Sequence, residues 1–419
     1  MTVTGAREST ATAALAPPAR LDPSVRALGV VSLLNDLSSE VTVRTLPLFL
    51  ANVLGVKPGI IGLIEGIGES TATLLKVFSG HLSDRIGKKK ALALWGYGIS
   101  GLSKPLLYFA TSWGWVLAVR FLDRVGKGVR TSPRDALIAD LTPAEHRGRA
   151  FGFNKAMDKA GAVAGLLLAA ALLYLSQEGQ AALTREGYQS LVLLAVVPGI
   201  AAVLVLAYGV KEAPGGAPLV GQSVRLAWKG LDGRFRAYLA IIVCFTLGNS
   251  SDAFLVLRAQ TVGLTTVEIF LLLAAFSLVI SVTSNPAGAL SDVLGRRGLI
   301  VASWLVYAAV YLGFAWASAP WHLWALYIAY GLYYGAFQGA ATALVADMVP
   351  AELRGTAYGL FNGAIGVAAL PASLLAGLLW EWFGPPAPFI TGGALSLLAA
   401  LLLLALPLPQ RRQEGGPAR

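Results

Sequence analysis

The amino-acid sequence predicts an all-α membrane protein with twelve transmembrane helices arranged as two parallel repeats of six. Three observations carry this prediction: the composition, the length of the apolar runs, and an internal repeat. Of the 419 residues, 56% are hydrophobic and 13% are charged, whereas an ordinary soluble domain has about 25% charged residues. The runs 298–320, 355–380 and 383–410 contain no Asp, Glu, Lys or Arg, and each reaches the roughly 20 residues that span a bilayer.

Apolar runs follow one another along most of the chain. The predicted spans are 25–53, 58–82, 89–111, 113–138, 147–175, 187–210, 235–261, 266–290, 298–318, 321–346, 354–380 and 385–408. Residues 1–24 are rich in Ala, Thr and Pro without a continuous apolar run, which predicts a cytosolic tail and not a signal peptide. Residues 211–234, rich in Gly, Pro and basic residues, form a predicted cytosolic linker between six-helix bundles at 25–210 and 235–408. Residues 409–419 form a second cytosolic tail.

Positive charges are unevenly distributed between the two sets of loops. One side collects Arg85, Lys88, Lys89, Lys90, Arg147, Arg149, Lys211, Arg225, Lys229, Arg234, Arg236, Arg296, Arg297, Arg354, Arg411 and Arg412. The other side has little beyond Lys57 and Arg185. Because short cytoplasmic loops are rich in Lys and Arg, we expect both termini in the cytoplasm of a multi-pass protein in the cytoplasmic (inner) cell membrane. The same bias accounts for the net charge of +10, so we expect no nucleic-acid partner.

An internal repeat relates the two bundles. Asp-Ala-Leu-Ile-Ala-Asp at 135–140 matches Thr-Ala-Leu-Val-Ala-Asp at 342–347, 207 residues later. Gly-His-Leu-Ser-Asp at 80–84 matches Gly-Ala-Leu-Ser-Asp at 288–292, 208 residues later. Two matches in register predict parallel repeats related by an axis along the membrane normal, a fold that places the substrate near the midplane between the halves.

The repeated loop carries a motif. Residues 80–90 read Gly-His-Leu-Ser-Asp-Arg-Ile-Gly-Lys-Lys-Lys, in which the first glycine permits close helix approach and the second a tight turn. This motif resembles the signature loop of the major facilitator superfamily, and the helices, repeat and linker extend the resemblance over nearly the whole chain. The resemblance implies alternating access, in which two halves rock about a central site and the loop latches the cytosolic side. The implied latch residues are Gly80, Asp84, Arg85, Gly87 and Lys88, with Asp292, Gly295 and Arg296 as counterparts.

Helices 4 and 5 resemble further motifs of the same family. Arg120 stands at the position of the family's membrane arginine and Gly126 matches one of its glycines, whereas Arg124 replaces a usual glycine. In helix 5, Gly165 is spaced as in the family's antiporter element, but Leu166 follows in place of the proline. The resemblance therefore leaves the direction of transport open.

Ionisable residues are frequent inside the predicted helices of the first half. A charge in the bilayer is costly and by default indicates function. Burial raises the pKa of a carboxylate and nearby cations lower it, so a carboxylate whose neighbours change between two states can carry a proton. The candidates for proton coupling are Asp36, Glu40, Glu69, Asp123 and Asp158. The alternative is that these charges form structural pairs, as we expect for Lys104 and a glutamate of helix 2.

A second set of polar residues is predicted to contact the solute. Arg120, Arg124 and Lys127 recur at spacings of four and three and so share one face of helix 4. Such a face suits an anionic ligand, because arginine offers a fixed fork of donors. The substrate-binding candidates are Arg44, Arg120, Arg124, Lys127, Arg130, Asn154, Lys159, Asn249, Asp252, Arg258, Tyr333, Tyr334, Gln338 and Asn362.

The leading prediction is a secondary active transporter that exports a small solute in exchange for protons. Uptake or exchange of an organic anion, lipid flipping, and a transporter-like sensor remain alternatives. The sequence has no Gly-rich Walker loop for ATP, and His81, His146 and His322 are scattered near helix ends without a metal or nucleophile motif. We therefore expect no enzymatic activity, no cofactor and no metal. We expect a monomer whose partners are the solute, protons and the lipid bilayer.

Overall fold

The computed structural model describes residues 21–176, 181–212, 232–350 and 353–407, with the side chains at 84, 144, 284–294 and 335–339 outside the description. All regular structure in these ranges is helical. The α-helices are α1 (Pro23–Leu48), α2 (Pro58–Ile86), α3 (Lys89–Ser103), α4 (Trp113–Asp140), α5 (Arg147–Ser176), α6 (Arg185–Gly209), α7 (Gly233–Gly248), α8 (Ala253–Thr261), α9 (Thr266–Trp316), α10 (Pro320–Met348), α11 (Arg354–Phe383) and α12 (Ala387–Ala405). Most of the predicted linker and both predicted tails fall outside the described residues.

The seventh predicted span, 235–261, is interrupted. Residues Asn249–Asp252 separate α7 from α8, which corrects the prediction of one continuous helix. Short polar side chains compete with the helix backbone for its hydrogen bonds. Here Ser251 Oγ accepts a hydrogen bond from the backbone N–H of Ala253 at 3.2 Å. The break exposes backbone and side-chain polar groups of this segment toward the centre of the molecule.

Glycines with a left-handed backbone repeat with the period of the sequence motif. Gly55 and Gly263 have φ of 62° and 106°, and Gly87 and Gly295 have φ of 68° and 71°. Each pair is 208 residues apart. Gly87 ends α2, whereas Gly295 is the non-helical residue inside α9 and joins the two spans predicted on either side of it. Glycine adopts positive φ without steric cost, so the two halves share their turn positions.

Polar contacts tie the helix ends together at one end of the bundle. Lys89 Nζ pairs with Asp140 Oδ2 at 2.5 Å, which joins the start of α3 to the end of α4. The N–H of Lys211, just after α6, donates to Ser24 Oγ at the start of α1 at 3.3 Å. We call this the basic end, because most basic loop residues lie there, and the opposite one the far end.

The second half has an equivalent ion pair between helix ends at the basic end. Arg296 in α9 pairs with Asp347 near the end of α10, and these two residues lie 207 positions after Lys89 and Asp140. Each ion pair therefore stays inside its own half. The contact of Arg296 is with α10 and not with the first half.

Seven segments of the described residues are long and apolar enough to cross a membrane, as judged from length and composition. They are Arg147–Ser176, Arg185–Gly209, Gly233–Thr261, Thr266–Thr283, Gly295–Trp316, Arg354–Phe383 and Ala387–Ala405. α1, α2 and α4 carry most of the charged side chains described below. Most of these charged side chains therefore lie on helices outside the apolar set.

Close contacts at glycines hold the charged helices together. A Cβ on Gly126 of α4 would lie 2.6 Å from the carbonyl oxygen of Gly96 in α3, and one on Gly165 of α5 would lie 2.6 Å from that of Leu37 in α1. Small residues let membrane helices approach this closely. Between the halves, α2 packs along α11, where a Cβ on Gly66 would lie 2.9 Å from Leu370. These contacts arrange α1, α2, α4 and α11 around one central space.

Candidate functional site

A cavity of about 450 Å³ lies between the two halves, within the size range of small-molecule sites. α1, α2, α4 and α5 line it from the first half, and the break between α7 and α8, α8, α10 and α11 line it from the second. Its described lining includes seven carboxylates and six cations: Asp36, Glu40, Glu65, Glu69, Asp123, Asp158 and Asp252, and Arg44, Arg120, Arg124, Lys127, Arg130 and Arg134. All five carboxylates predicted for proton coupling are in this set. Asp252 alone among these charged residues comes from the second half.

Arg120 is neutralised by a carboxylate of α2. Its Nη2 donates to Glu65 Oε2 at 2.7 Å, and the two side chains are only 3% and 6% exposed. Two more carboxylates lie at the edge of ion-pair distance, Glu69 at 4.0 Å and Asp123 at 3.9 Å. A buried charge is tolerated only when it is paired and hydrogen-bonded. The predicted membrane arginine therefore acts first as a link between α2 and α4.

Arg124 is paired in the same way. Its Nη1 lies 3.2 Å from Glu69 Oε1, and its Nε lies 3.5 Å from Asp123 Oδ2. Asp123 in turn accepts a 2.5 Å hydrogen bond from Ser100 Oγ of α3. The shared face of α4 predicted from its spacing is real, but the charges of two of its arginines are already paired with neighbouring carboxylates.

Lys104 does not pair with a glutamate of α2, so that expectation was wrong. Its Nζ donates to Ser38 Oγ and Ser39 Oγ of α1, each at 2.9 Å. Both glutamates of α2 that could have served are engaged by arginines of α4. The buried Lys104 instead ties the end of α3 to α1.

One ion-pair cluster bridges the two halves. Arg44 of α1 contacts Glu40 Oε2 through Nε and Asp252 Oδ2 through Nη1, both at 2.9 Å. Tyr330 OH of α10 donates to Asp252 Oδ1 at 3.3 Å. Arg44 and Asp252 are 208 residues apart, the same offset that relates the turn glycines. They are therefore equivalent positions of the two repeats, and equivalent residues meet only beside the axis that relates the halves.

Arg134 and two aspartates form the part of the lining nearest the basic end. Arg134 Nη2 pairs with Asp135 at 2.9 Å, and its Nη1 lies 3.7 Å from Asp158 Oδ1. Asp36 accepts a 3.0 Å hydrogen bond from Asn35 Nδ2 and forms no ion pair within the described part of the chain. Asp36 is thus the carboxylate of the described lining that lacks a cationic partner.

Lys127 and Arg130 of α4 are the lining cations without a carboxylate partner among the described residues. The Lys127 side chain is exposed to the cavity. Arg130 is 7% exposed, and its guanidinium carbon lies 4.7 Å above the ring centre of Tyr97. The buried Nη1 of Arg130 has no hydrogen-bond acceptor in the part of the chain that the structure describes.

Apart from Asp252, the second half contributes an uncharged wall to the cavity. Asn249, Ser250, Ser251, Tyr330 and Tyr334 line it. Asn249 and Tyr334 are among the residues predicted from the sequence, whereas Tyr330 was missed. Tyr330 precedes Tyr334 by one helical turn, so the helical period alone would have placed both on one face.

Several predicted substrate-binding residues lie away from the cavity lining. Tyr333 is buried in an aromatic cluster, stacked on Tyr330 with ring centres 5.6 Å apart. Arg258 donates to the carbonyl oxygens of Phe314, Ala315 and Ala317, so its charge caps the C-terminal end of α9 and this placement does not support substrate binding.

Three further candidates also stand outside the lining. Asn154 accepts a hydrogen bond from Ser32 Oγ at 2.9 Å, and Asn362 donates to the carbonyl oxygen of Tyr358 at 2.8 Å. Lys159 is half-buried on α5 and is not part of the described lining. The side chain of Gln338 lies outside the described residues.

The predicted latch residues lie at the basic end. Arg85 and Lys88 are exposed around the left-handed Gly87 that ends α2. A Cβ on Gly80 would lie 3.4 Å from Ser132 Cβ of α4, so α2 and α4 meet closely there. The side chains of Asp84 and Asp292 fall outside the described residues.

Contacts between the halves concentrate around the cavity and toward the far end. Lys57 Nζ pairs with Glu381 at 3.1 Å, and the N–H of Thr266 donates to the carbonyl oxygen of Ala181 at 3.0 Å. At the basic end, by contrast, a Cβ on Gly152 of α5 or on Gly355, Gly359 or Gly363 of α11 would meet no atom within 4 Å. In the described part of the chain the tight contacts between the halves therefore lie around the cavity and at the far end.

Two helical repeats around a charged cavity, with several apolar helices of membrane length, define a multi-pass membrane transport protein. The sequence matches the family model of the Major Facilitator Superfamily over residues 28–265 and 237–419. An uncharacterized MFS-type transporter of Methanocaldococcus jannaschii is 35% identical over 392 residues, which cover 92% of this chain and 95% of the relative. The chain belongs to the major facilitator superfamily and is a transporter, not an enzyme.

Two further comparisons extend this result. A relative in Lactococcus lactis, named as a homolog of the multi-drug resistance efflux pump PmrA, is 33% identical over 175 residues, or 40% of this chain and 43% of the relative. The crystal structure of the nucleoside transporter NupG superposes with a TM-score of 0.79 at 12% identity, covering 91% of this chain and 99% of that chain. At this identity the structural likeness shows the shared fold.

Proposed function

We propose that the chain is a proton-coupled secondary active transporter that moves a small polar solute through the central cavity by alternating access. The observation that carries the proposal is the cavity: about 450 Å³ between two repeats, with seven carboxylates and six cations in its described lining. Charges inside a membrane protein mark substrate and proton pathways. A polar solute can exchange its hydration for hydrogen bonds to such a wall, which a purely apolar solute cannot do.

We propose twelve membrane spans with both termini in the cytoplasm. α1 to α6 supply six spans, α7 with α8 the seventh, the two parts of α9 the eighth and ninth, and α10 to α12 the last three. The basic end is then cytoplasmic, since short cytoplasmic loops collect Lys and Arg. The protein is proposed to act as a monomer, because one chain contains both halves of the cavity.

Cysteine labelling tests this topology. Cys244 is the one cysteine of the sequence, so single cysteines can replace Lys57 or Lys88 in a Cys244→Ser chain. A membrane-impermeant maleimide added to intact cells should label position 57 and leave position 88 unlabelled. The reverse pattern would invert the proposed orientation.

Export in exchange for protons is the proposed direction. The partial identity to an efflux pump homolog supports it. The contacts between the halves at the far end also fit a state that takes up solute from the cytoplasm, given the proposed topology. The latch residues at the basic end, including Arg85 and Lys88, would then close the cytoplasmic side in the alternate state.

A solute screen followed by a flux measurement tests the transport proposal. Purified protein is heated with solute libraries at two pH values, and a stabilising solute is then loaded into proteoliposomes. An inward-directed proton gradient should drive the solute out faster than equal pH on both sides, and a protonophore should abolish the difference. Flux that ignores both the gradient and the protonophore would contradict proton coupling.

Carboxylate substitutions test where coupling resides. Asp36→Asn, Glu40→Gln and Asp158→Asn are expected to lower gradient-driven flux, because each removes a titratable group from the cavity lining. Asp140→Asn is the matched control, since Asp140 lies at the basic end outside the described lining and pairs with Lys89. Gradient-driven flux at wild-type rates in all three cavity variants would contradict the assignment of proton coupling to these carboxylates.

A further inference from the structure

We infer that Lys127 and Arg130 bind an oxyanion group, a carboxylate or a phosphate, of the transported solute. The inference rests on the proposed transport function, because it assigns the chemical class of the solute. Of the cationic residues on α4, it assigns anion binding to these two.

Charge pairing in the lining singles out these two residues. Arg120 and Arg124 are held by carboxylates of α2 and α4 at 2.7 Å and 3.2 Å. Arg44 is held at 2.9 Å from Glu40 and from Asp252, and Arg134 is held by neighbouring aspartates. The charge of each of these arginines is compensated by carboxylates, although Arg120 Nε and Nη1 and Arg124 Nε have no hydrogen-bond acceptor among the described residues. The cations of the described lining whose charge no ion pair compensates are Lys127 and Arg130.

Arg130 is built as a fixed donor. The Tyr97 ring supports its guanidinium at 4.7 Å, and the close approach of α3 leaves no room behind it: a Cβ on Gly96 would lie 2.7 Å from Arg130 Cβ. The side chain is 7% exposed, yet its buried Nη1 has no acceptor among the described residues. Buried donors are rarely left unpaired, since the desolvation of the group is then uncompensated. An oxyanion oxygen supplies the missing acceptor.

Lys127 completes the site from one helical turn away. Residues three apart on a helix are neighbours on its surface, and Lys127 is exposed within the cavity lining. Lysine offers a mobile ammonium with three donors, and arginine offers a planar fork. Together they give an oxyanion one oriented and one adaptable partner. Asp36, which lacks a cationic partner of its own, interacts electrostatically with both residues and limits the excess positive charge.

The wall from the second half, whose charged residue Asp252 is paired with Arg44, limits what the rest of the solute can be. Asn249, Ser250, Tyr330 and Tyr334 present amide, hydroxyl and aromatic groups without net charge. A solute that places its oxyanion on α4 would therefore turn a neutral, hydrogen-bonding or aromatic part toward the second half. Small aromatic acids and aromatic phosphates have this form.

Binding to the full-length protein in nanodiscs tests the inference with 4-hydroxybenzoate, phenyl phosphate and the neutral analogue 4-hydroxybenzamide as probes. The wild type should bind at least one of the two oxyanions and not the amide, and the arm that binds distinguishes carboxylate from phosphate. Lys127→Gln should weaken that binding about tenfold or more, the usual effect of losing a charge-assisted hydrogen bond. Lys155→Gln, which removes an exposed cation of α5 outside the described lining, should bind as the wild type does.

The second part of the experiment uses Arg130→Lys and Arg130→Gln. The lysine variant keeps the positive charge but lacks the planar guanidinium donors. If the buried arginine is needed for folding, the exposed Lys127 decides the question alone. Equal binding of the amide, no binding of either oxyanion, or unchanged affinity in Lys127→Gln would overturn the inference. Proteoliposome flux separates it from the transport proposal: solute flux that is insensitive to Lys127→Gln refutes the site only. Binding that depends on Lys127 without any flux refutes transport only.

Discussion

Replacing Asp252 with asparagine removes the charge that joins the second half to Arg44 of α1. The ion pair has a 2.9 Å separation, and its side chains are 20% and 28% exposed. Hydrogen bonds to charged groups contribute about 1.5–3 kcal/mol, whereas exposed ion pairs contribute about 0.2–1 kcal/mol. The pair is partly exposed, and Arg44 keeps Glu40 as a partner at 2.9 Å. We therefore expect the contact between Arg44 and Asp252 to contribute about 1 kcal/mol. The pair bridges the halves in this structure, and we expect it to break when the far end opens, so Asp252→Asn should shift the equilibrium about fivefold toward an open far end.

Spin-label distances measure that shift. Nitroxides at Asn52 and Ser318, both exposed near the far end, would be placed in a Cys244→Ser chain and compared with and without Asp252→Asn. The ratio of the long-distance to the short-distance population should rise about fivefold, and Arg44→Gln combined with Asp252→Asn should add little. Asp140→Asn breaks an ion pair inside one half and should leave the distribution unchanged. An unaltered distribution in Asp252→Asn, or full additivity of the two substitutions, would refute the assignment of this pair as a closure contact.

Three substitutions test the packing described above, each read from thermal unfolding of purified protein. Glu65→Gln should lower the melting temperature markedly, because it leaves Arg120 buried with only distant carboxylates, a loss of about 3 kcal/mol; a melting temperature within a degree of wild type would contradict this. Gly126→Val should cost about 1–3 kcal/mol by overpacking, since even a Cβ would lie 2.6 Å from α3. Gly87→Ala should cost about 1 kcal/mol, because φ of 68° strains an L-residue. Gly114→Ala is the control for both glycine changes, because its Cβ would meet no atom within 4 Å, and an equal loss there would remove the packing explanation.

The parts of the fold that depend on local pattern were predictable from the sequence. Long uncharged runs such as 298–320 identify helices because a membrane helix must satisfy its backbone internally. The motif repeat at 207–208 residues predicted related halves, and the turn glycines at the same spacing agree with it. The break at Asn249–Asp252 was missed, since a short polar run inside an apolar stretch also occurs in continuous helices.

The sequence predicted many of the residues that line the candidate site, but not which of them form ion pairs. Spacing placed Arg120, Arg124 and Lys127 on one face of α4, and they do line one cavity. Which of these cations forms an ion pair depends on α2, because its Glu65 and Glu69 approach α4 only after the helices pack. No local pattern in the sequence carries that information. Misplaced candidates such as Arg258 have the same origin, because a charge in an apolar helix can cap a neighbouring helix end as readily as it can bind a ligand.

The contact between Arg44 and Asp252 also bears on the history of the chain. Two copies of a single six-helix ancestor, related by a two-fold axis, would have placed one residue against its own copy at this point. Two arginines or two aspartates would repel each other there, and an ion pair between equivalent positions requires that they differ. The bridge is therefore a feature acquired after duplication and fusion, when each half could change separately. A symmetric dimer assembled from the first half alone would lack it and would set Arg44 against Arg44.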